Sequence, residues 1–302
     1  MSEATAARTA LSYLALAASM AIVGGYVGFS KALVIVFPVF LLAGMRFAIA
    51  AIAMAPWLRR PAQEPLLDAR DYRLLFLESF FGNFLFSICM LSGMRQSSAL
   101  AAGVIMAALP AVVALLSWLL LGERIGGRIV AAIACAIAGI ALVALARDTE
   151  GELASGSLAG SALLLAAVTC EALYVVIGKK LTASLGPKRI SAIINLWGLI
   201  LVAPLAIWQL LEFSPRYIDG SYWALLGVYA IAASVVTVWL WMTGMRHVPA
   251  ASAGIFTVFL PVSAAAVGVA FYGERFTTIQ VAAFALALGG VILATWPARR
   301  RS

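Results

Sequence analysis

Apolar segments long enough to cross a membrane follow one another along the whole chain. There are ten such runs, separated by short connections that contain Gly, Pro or charged residues. A membrane-spanning helix needs about 20 mostly apolar residues, and these runs are too long and too irregular for barrel strands. Only helices and closed barrels satisfy their backbone in lipid. Helices are therefore predicted at about 11–30, 38–57, 72–92, 98–121, 127–146, 159–178, 190–211, 222–243, 250–271 and 277–297.

The composition excludes the soluble classes of protein. Of the 302 residues, 64% are hydrophobic and 11% are charged, whereas soluble domains carry about 25% charged residues. The net charge of +8 does not indicate a nucleic-acid partner, because the basic residues form short clusters between apolar runs rather than a stripe interleaved with aromatic residues. The three cysteines lie inside apolar runs and lack the spacing of a disulfide framework or a metal site. We expect a lipid bilayer around the chain and neither a metal nor a cofactor.

The distribution of Lys and Arg predicts the orientation in the membrane. If the N-terminus is placed in the cytoplasm, the cytoplasmic segments hold about three times as many Lys and Arg as the segments on the other side. Cytoplasmic connections of membrane proteins carry such an excess. Both termini are therefore predicted to be cytoplasmic.

The two halves of the chain share an internal repeat. Each half, 1–148 and 149–302, holds five predicted spans. Because five is odd, the second half crosses the membrane in the opposite sense. The sequence thus predicts an all-α polytopic membrane protein of ten transmembrane helices, arranged as two inverted five-helix repeats, which is a transporter architecture with its site at the repeat interface. At an offset of 151, the identical positions are Gly93-Met94-Arg95 with Gly244-Met245-Arg246, Gly103 with Gly254, Leu109-Pro110 with Leu260-Pro261, and Gly122-Glu123-Arg124 with Gly273-Glu274-Arg275.

The repeated element, a span with a central proline that ends in Gly-Glu-Arg, resembles the drug/metabolite transporter superfamily and its EamA-type members in particular. The first span is also similar, since its stretch Gly24–Lys31 lies where the family has an aromatic-Gly segment closing with Lys. The resemblance covers nearly the whole chain as two EamA-like units. It implies a central cavity lined mainly by spans one to four and six to nine. Within the superfamily the chain looks most like bacterial exporters of the YddG kind, associated with aromatic amino acids, which implies a bacterial-type inner membrane.

Three ionisable residues lie inside predicted spans, where such residues are costly and mark functional sites. They are Arg46, Glu78 and Glu171. Their distances from the span ends place both carboxylates at a similar depth, within reach of Arg46. We expect Arg46 to pair with one carboxylate and the other to face the cavity, where it binds a substrate amine or a proton. A purely structural ion pair, or a Glu that reaches the membrane surface, is the alternative.

Further polar and aromatic residues share helix faces with these three and complete the predicted cavity. The alternative role of the polar groups is hydrogen bonding between helices, and that of the aromatic rings is ordinary packing. The added candidates for substrate binding are Tyr174, Asn83, Tyr26, Asn195, Thr237, Trp241 and Phe256.

Matched prolines predict hinges. Pro110 and Pro261 lie at equivalent mid-span positions, and each frees the carbonyl four residues earlier. The matched glycines Gly103 and Gly254 lie in the same spans. We expect these four residues to let the spans bend between two states, with a static kink as the alternative.

Together these features predict a secondary transporter and not an enzyme. The chain lacks the glycine loop that binds ATP phosphates, and a single histidine with two intramembrane carboxylates does not make a catalytic set. By resemblance, the predicted substrates are amino acids, aromatic ones foremost, exported by a monomer through alternating access, with proton coupling left open. The alternatives are a transporter of drugs, sugars or nucleotide conjugates, a channel, or a membrane-embedded enzyme.

Overall fold

Every regular element that the structure describes is helical. The computed structural model describes residues 3–62, 64, 66–121, 127, 130, 131, 134, 135, 137–139, 142, 157–182, 185–215, 218–247, 256, 257, 259–275 and 277–295. The α-helices are α1 (Glu3–Val36), α2 (Val39–Met54), α3 (Ala69–Ser79), α4 (Phe86–Arg95), α5 (Ala99–Met106), α6 (Leu109–Leu121), α7 (Leu158–Leu181), α8 (Pro187–Glu212), α9 (Gly220–Ile231), α10 (Thr237–His247), α11 (Phe259–Tyr272) and α12 (Thr278–Thr295). A 3₁₀ helix, Ala55–Leu58, extends α2.

Six stretches are long and apolar enough to cross a membrane, which confirms a multi-pass helical protein. They are Ala10–Val36, Val39–Leu58, Ala69–Arg95, Leu158–Leu181, Pro187–Glu212 and Gly220–Arg246. These are the predicted spans one, two, three, six, seven and eight. The predicted span four is split into α5 and α6, and spans nine and ten correspond to the shorter helices α11 and α12. Span five lies largely outside the described residues, so the total of ten remains a prediction.

Polar residues fix the points where the helices begin. Asp68 accepts a 2.7 Å hydrogen bond from the Asp71 backbone N–H, and the Asp71 side chain accepts one in return from the Asp68 N–H, which makes a capping box at the start of α3. Ser98 and Ser157 cap α5 and α7 through backbone amides at 3.0 and 2.9 Å. α8 begins with Pro187, whose missing N–H costs nothing in the first turn.

Two spans contain a π-helical segment in their middle. Phe80–Leu85 joins α3 to α4, and Ala232–Val236 joins α9 to α10. Shifting 80–85 by the repeat offset of 151 gives 231–236, which overlaps the second segment. Such bulges are rare and are frequent at functional sites. Both segments contribute residues to the cavity described below.

The helices pack mainly across the two halves of the chain. The first helix, α1, packs on α10 and α11, while α7 packs on α4 and on α5 and α6. The other main pairs are α2 with α8 and α5 with α11. Exchanging the two halves maps the pairs of α1 with α10 and α11 onto those of α7 with α4 and α6, and it maps the pair of α2 with α8 onto itself. The centre of the molecule is therefore an interface between the halves.

Two glycines mark equivalent close contacts between the halves. A Cβ atom at Gly93 would lie 2.8 Å from the Cγ of Leu164, and one at Gly244 would lie 2.6 Å from the Cγ of Leu16. The glycines are 151 residues apart, which is the offset of the sequence repeat, and the leucines are 148 apart. Small residues of this kind allow close helix packing where lipid provides no hydrophobic driving force.

Candidate functional site

A cavity lies at this central interface, between α1, α2, α4, α7, α10 and the two π-helical segments. It contains seven of the ten residues predicted to bind substrate, namely Tyr26, Arg46, Asn83, Glu171, Tyr174, Thr237 and Trp241. The residues that the prediction missed are Ser19, Met20, Val23, Gly82, Phe86, Ala233 and Val238. Most of these are small or apolar, and nothing in an apolar span distinguishes them from residues that face lipid.

The cavity is narrow in this conformation. Its volume, taken as the space for the centre of a water-sized sphere, is about 30 Å³. That holds about two waters, whereas sites for small organic ligands have roughly 300–1,000 Å³. A metabolite therefore fits only after the surrounding helices have moved apart.

Neutral groups hold Arg46 in place. Its Nη2 donates a 2.6 Å hydrogen bond to the Ser87 hydroxyl, and Ser87 in turn donates to the Asn83 carbonyl. The guanidinium also lies over the rings of Phe47 and Tyr229, at 4.3 and 6.0 Å from the ring centroids. Such contacts stabilise a cation without neutralising it.

The predicted ion pair between Arg46 and a carboxylate is not formed. No salt bridge joins Arg46 to Glu78 or Glu171 in this structure, although all three side chains are described and buried. The Nε atom of Arg46 has no hydrogen-bond partner. The guanidinium instead donates to the Ser87 hydroxyl, which supplies an acceptor that carries no charge. The positive charge thus remains available to an anionic group in the cavity.

The two glutamates have different surroundings. Glu171 lines the cavity, one helical turn before Tyr174. Glu78 is fully buried outside the cavity, and neither of its carboxylate oxygens has a hydrogen-bond partner. Its Oε1 lies against Gly178, where an added Cβ would come within 2.6 Å. Of the two carboxylates, Glu171 is therefore the one placed to meet a substrate.

Three aromatic side chains line the cavity and are called its aromatic wall here, namely Tyr26, Tyr174 and Trp241. The Tyr26 ring meets the Tyr229 ring edge-on at 5.7 Å between centroids. Tyr174 packs over Gly82 in the first π-helical segment, where an added Cβ would lie 2.2 Å from the ring. Its buried hydroxyl has no hydrogen-bond partner in the described residues. Trp241 completes the wall from α10. Tyr229 contacts Tyr26 without lining the cavity, and its position three residues before a π-helical segment is not visible in a hydropathy pattern.

Several polar groups serve as interhelical hydrogen bonds, the alternative role that the sequence left open. Ser79 and Asn83 both donate to the Ile194 carbonyl, at 2.5 and 2.9 Å. Asn195 donates to the Phe47 carbonyl at 3.0 Å and lies outside the cavity. Asn83 thus lines the cavity while its amide joins the first π-helical segment to α8.

Phe256 and Thr237 differ from their predicted role of binding substrate directly. Phe256 also lies outside it, and its ring packs against Tyr13 of α1 at 5.3 Å. Thr237 lines the cavity, but its hydroxyl donates to the Ala233 carbonyl at 2.8 Å. The Thr237 carbonyl accepts a 2.9 Å bond from Ser19.

The prolines begin helices rather than bend them. Pro110 is the second residue of α6, after a break at 107–108, and Pro261 is the third residue of α11. In a first turn the N–H that proline lacks has no partner to lose. Gly103 faces the backbone of Pro261, with an added Cβ at 3.2 Å from its carbonyl oxygen. The fourth predicted hinge residue, Gly254, lies outside the described residues.

Comparisons with known proteins agree on the kind of protein. The model of the EamA-like transporter family matches residues 10–145 and again 158–296. A protein of Bacillus subtilis (strain 168), described as the "Uncharacterized transporter YetK", is 33% identical over 285 residues, which cover 93% of this chain and 86% of that protein. A crystal structure described only as that of a protein superposes with a TM-score of 0.65 over 98% of each chain. At 19% identity, that last similarity concerns the fold alone.

Proposed function

Since this chain belongs to the EamA-like transporter family and is a membrane transporter, we propose that it carries amino acids, aromatic ones foremost, by alternating access in the direction of export. The observation that supports this substrate class is the presence of two opposite charges in one cavity. Arg46 and Glu171 both line it and do not bind each other. An amino acid carries a carboxylate and an ammonium group that complement these two side chains.

The aromatic wall supports the preference for aromatic side chains. Tyr26, Tyr174 and Trp241 line the same cavity as the two charges. Aromatic rings favour edge-to-face and offset contacts with another ring at about 4.5–7 Å between centroids. A bound Phe, Tyr or Trp would thus place its backbone groups on Arg46 and Glu171 and its ring against this wall.

Alternating access is supported by the packing between the halves. The first helices of the two halves pack on corresponding helices of the opposite half, and transporters with inverted repeats expose a central site first to one side and then to the other by moving one repeat against the other. The cavity is formed by a single chain, so we propose a monomer as the working unit. The orientation with both termini in the cytoplasm of an inner membrane is also part of this proposal.

Uptake into proteoliposomes tests the proposal. Proteoliposomes that contain the purified protein are loaded with unlabelled Phe. Exchange of this internal Phe is measured against external labelled Phe, Trp, Leu and Ala and against a labelled sugar, with and without a pH gradient. We expect saturable exchange that is strongest for the aromatic amino acids. Glu171→Gln and Arg46→Gln should each lower it at least about tenfold, the effect of losing about 1.4 kcal/mol of binding. Stimulation by a pH gradient would indicate proton coupling.

A matched control distinguishes the effect of changing a residue of the cavity from a general effect of removing a negative charge. Glu212 is exposed at the end of α8 and does not line the cavity, so Glu212→Gln should leave exchange unchanged. If all amino acids fail to exchange while a sugar or a drug does, the substrate assignment is wrong and the family assignment remains. If the Glu171 and Glu212 variants lose equal activity, the cavity is not the site.

A further inference from the structure

A second and larger cavity lies near one end of the molecule. It is bounded by the 3₁₀ helix Ala55–Leu58, the start of α8 and the end of α10, and its volume for the centre of a water-sized sphere is about 470 Å³. That is within the range of small-molecule sites, roughly 300–1,000 Å³. The charge bias of the sequence predicts that this end faces the cytoplasm.

The charges of this cavity are unbalanced. Its lining includes the cations Arg59, Lys188, Arg189 and Arg246 and the single carboxylate Glu64. Both carboxylate oxygens of Glu64 already accept a hydrogen bond. One accepts from Arg189 at 2.6 Å and the other from the backbone N–H at the start of α8, also at 2.6 Å. The other three cations form no salt bridge with any residue that the structure describes.

Two indole rings hold one of these cations in the cavity. The Nζ of Lys188 lies 5.6 Å from the ring centroid of Trp57 and 6.0 Å from that of Trp239. The two rings are themselves 6.3 Å apart. Cation–π contacts fix the position of an ammonium group and leave its hydrogen-bond donors free for an anion.

This cavity is separate from the central one. Trp239, Thr243 and Arg246 occupy one face of α10, at spacings of four and seven residues, and line the second cavity. Thr237 and Trp241 occupy the opposite face and line the central cavity. The two cavities therefore share no lining residue and lie on opposite faces of α10.

We propose that this second cavity binds a phosphate-bearing anion, either the headgroup of an anionic phospholipid or a soluble phosphate ester. The guanidinium groups of Arg59 and Arg246 match the geometry of phosphate oxygens. Trp239 lies seven residues, about 10 Å, along the helix from Arg246, so the cavity has an aromatic part as well as a charged part. Basic pockets between helices on the cytoplasmic side of membranes bind anionic headgroups in this way.

Binding of defined lipids tests this site. Native mass spectrometry of the full-length protein in detergent compares phosphatidylglycerol with phosphatidylcholine, and glycerol phosphate in the buffer serves as the soluble competitor. We expect the wild type to retain phosphatidylglycerol preferentially. Lys188→Gln and Arg246→Gln should each weaken that preference about fivefold, while Lys188→Arg should keep it. The control is Arg60→Gln, which removes an exposed charge next to Arg59 that does not line the cavity.

The outcomes assign the source of the phosphate or reject the site. Preferential phosphatidylglycerol binding that glycerol phosphate does not displace supports the lipid headgroup. Displacement by glycerol phosphate, together with a raised melting temperature in its presence, supports a soluble ester. Equal retention of both lipids with no effect of glycerol phosphate overturns the proposal. So does a loss in Arg60→Gln as large as that in Lys188→Gln, because bulk charge would then explain the binding.

Discussion

The charge of Arg46 is not matched by a carboxylate, because the guanidinium contacts a hydroxyl and two aromatic rings. The Ser87 hydroxyl accepts from the guanidinium at 2.6 Å and itself donates to the Asn83 carbonyl, so both of its hydrogen-bonding roles are in use. A carboxylate in place of Ser87 would compete with an anionic substrate for the same donors. The serine instead orients the guanidinium toward the cavity and leaves its charge unmatched.

Removing this hydroxyl should loosen Arg46 without removing its charge. We expect Ser87→Ala to raise the KM for exchange roughly 10- to 100-fold, because a hydrogen bond to a charged group contributes about 1.5–3 kcal/mol. Uptake kinetics in proteoliposomes measure this. The control is Ser191→Ala in α8, a buried serine whose hydroxyl donates to the Pro187 carbonyl of its own helix. An unchanged KM in Ser87→Ala would show that the hydroxyl does not position Arg46 for substrate.

At the scale of elements, the contact between span three and α7 depends on glycines in each span, against which a large side chain of the other span packs. Tyr174 of α7 packs on Gly82, and Glu78 of α3 packs on Gly178 of α7. The two contacts run in opposite directions between the same spans. They hold the first π-helical segment against the part of α7 that carries Glu171.

Adding one methyl group at this contact should separate the two spans. Gly82→Ala places a Cβ 2.2 Å from the ring of Tyr174, which is itself buried. We expect a loss of about 1–3 kcal/mol from overpacking, measured as a lower melting temperature in detergent, and a matching loss of exchange. Gly227→Ala in α9 is the control, because nothing lies within 4 Å of its added Cβ. There the better helix propensity of Ala predicts equal or higher stability. Similar melting temperatures for both variants would contradict the close contact.

The sequence predicted those elements whose signal is hydropathy, and it missed those that depend on local backbone geometry. Six spans were predicted with ends within about six residues of those in the structure, since twenty apolar residues leave no alternative to a helix in lipid. The π-helical segments were not predicted, because one extra residue in a turn hardly alters an apolar pattern. Pro110 and Pro261 were predicted to be hinges in the middle of continuous spans, because hydropathy does not show that each lies in the first turn of a new helix.

The residues of the candidate site likewise divide into those that the sequence predicted and those that it missed. Arg46 and Glu171 were found because charges stand out in apolar spans. Their partners were not found, since the acceptor of Arg46 is one serine among several and Tyr229 is one aromatic residue among many. Contacts between helices that are distant in sequence decide such pairings, and spacing along one helix does not contain them.

At the scale of the whole molecule, a salt bridge ties the halves together at the end opposite the second cavity. The Nζ of Lys31, near the end of α1, lies 2.6 Å from Oε1 of Glu274, in the connection between α11 and α12. The same oxygen accepts a 3.1 Å bond from the Ala99 N–H at the start of α5. The Tyr272 hydroxyl adds a 3.2 Å bond to the Gly28 carbonyl. This network closes one end of the central interface, and the predicted orientation places that end outside the cell.

Breaking the bridge should therefore favour the conformation that is open to the outside. Hydrogen bonds to charged groups contribute about 1.5–3 kcal/mol, and each 1.4 kcal/mol changes a population tenfold. The reporter is Ser19→Cys at a position that lines the cavity, in a protein whose three native cysteines are replaced. In this background, Glu274→Gln should increase the rate of labelling by an external, membrane-impermeant maleimide about tenfold. Glu64→Gln, which breaks the bridge to Arg189 at the other end, should leave external labelling unchanged. Equal acceleration by both variants would mean general loosening of the helices, and no acceleration by Glu274→Gln would mean that this network does not close the outer end.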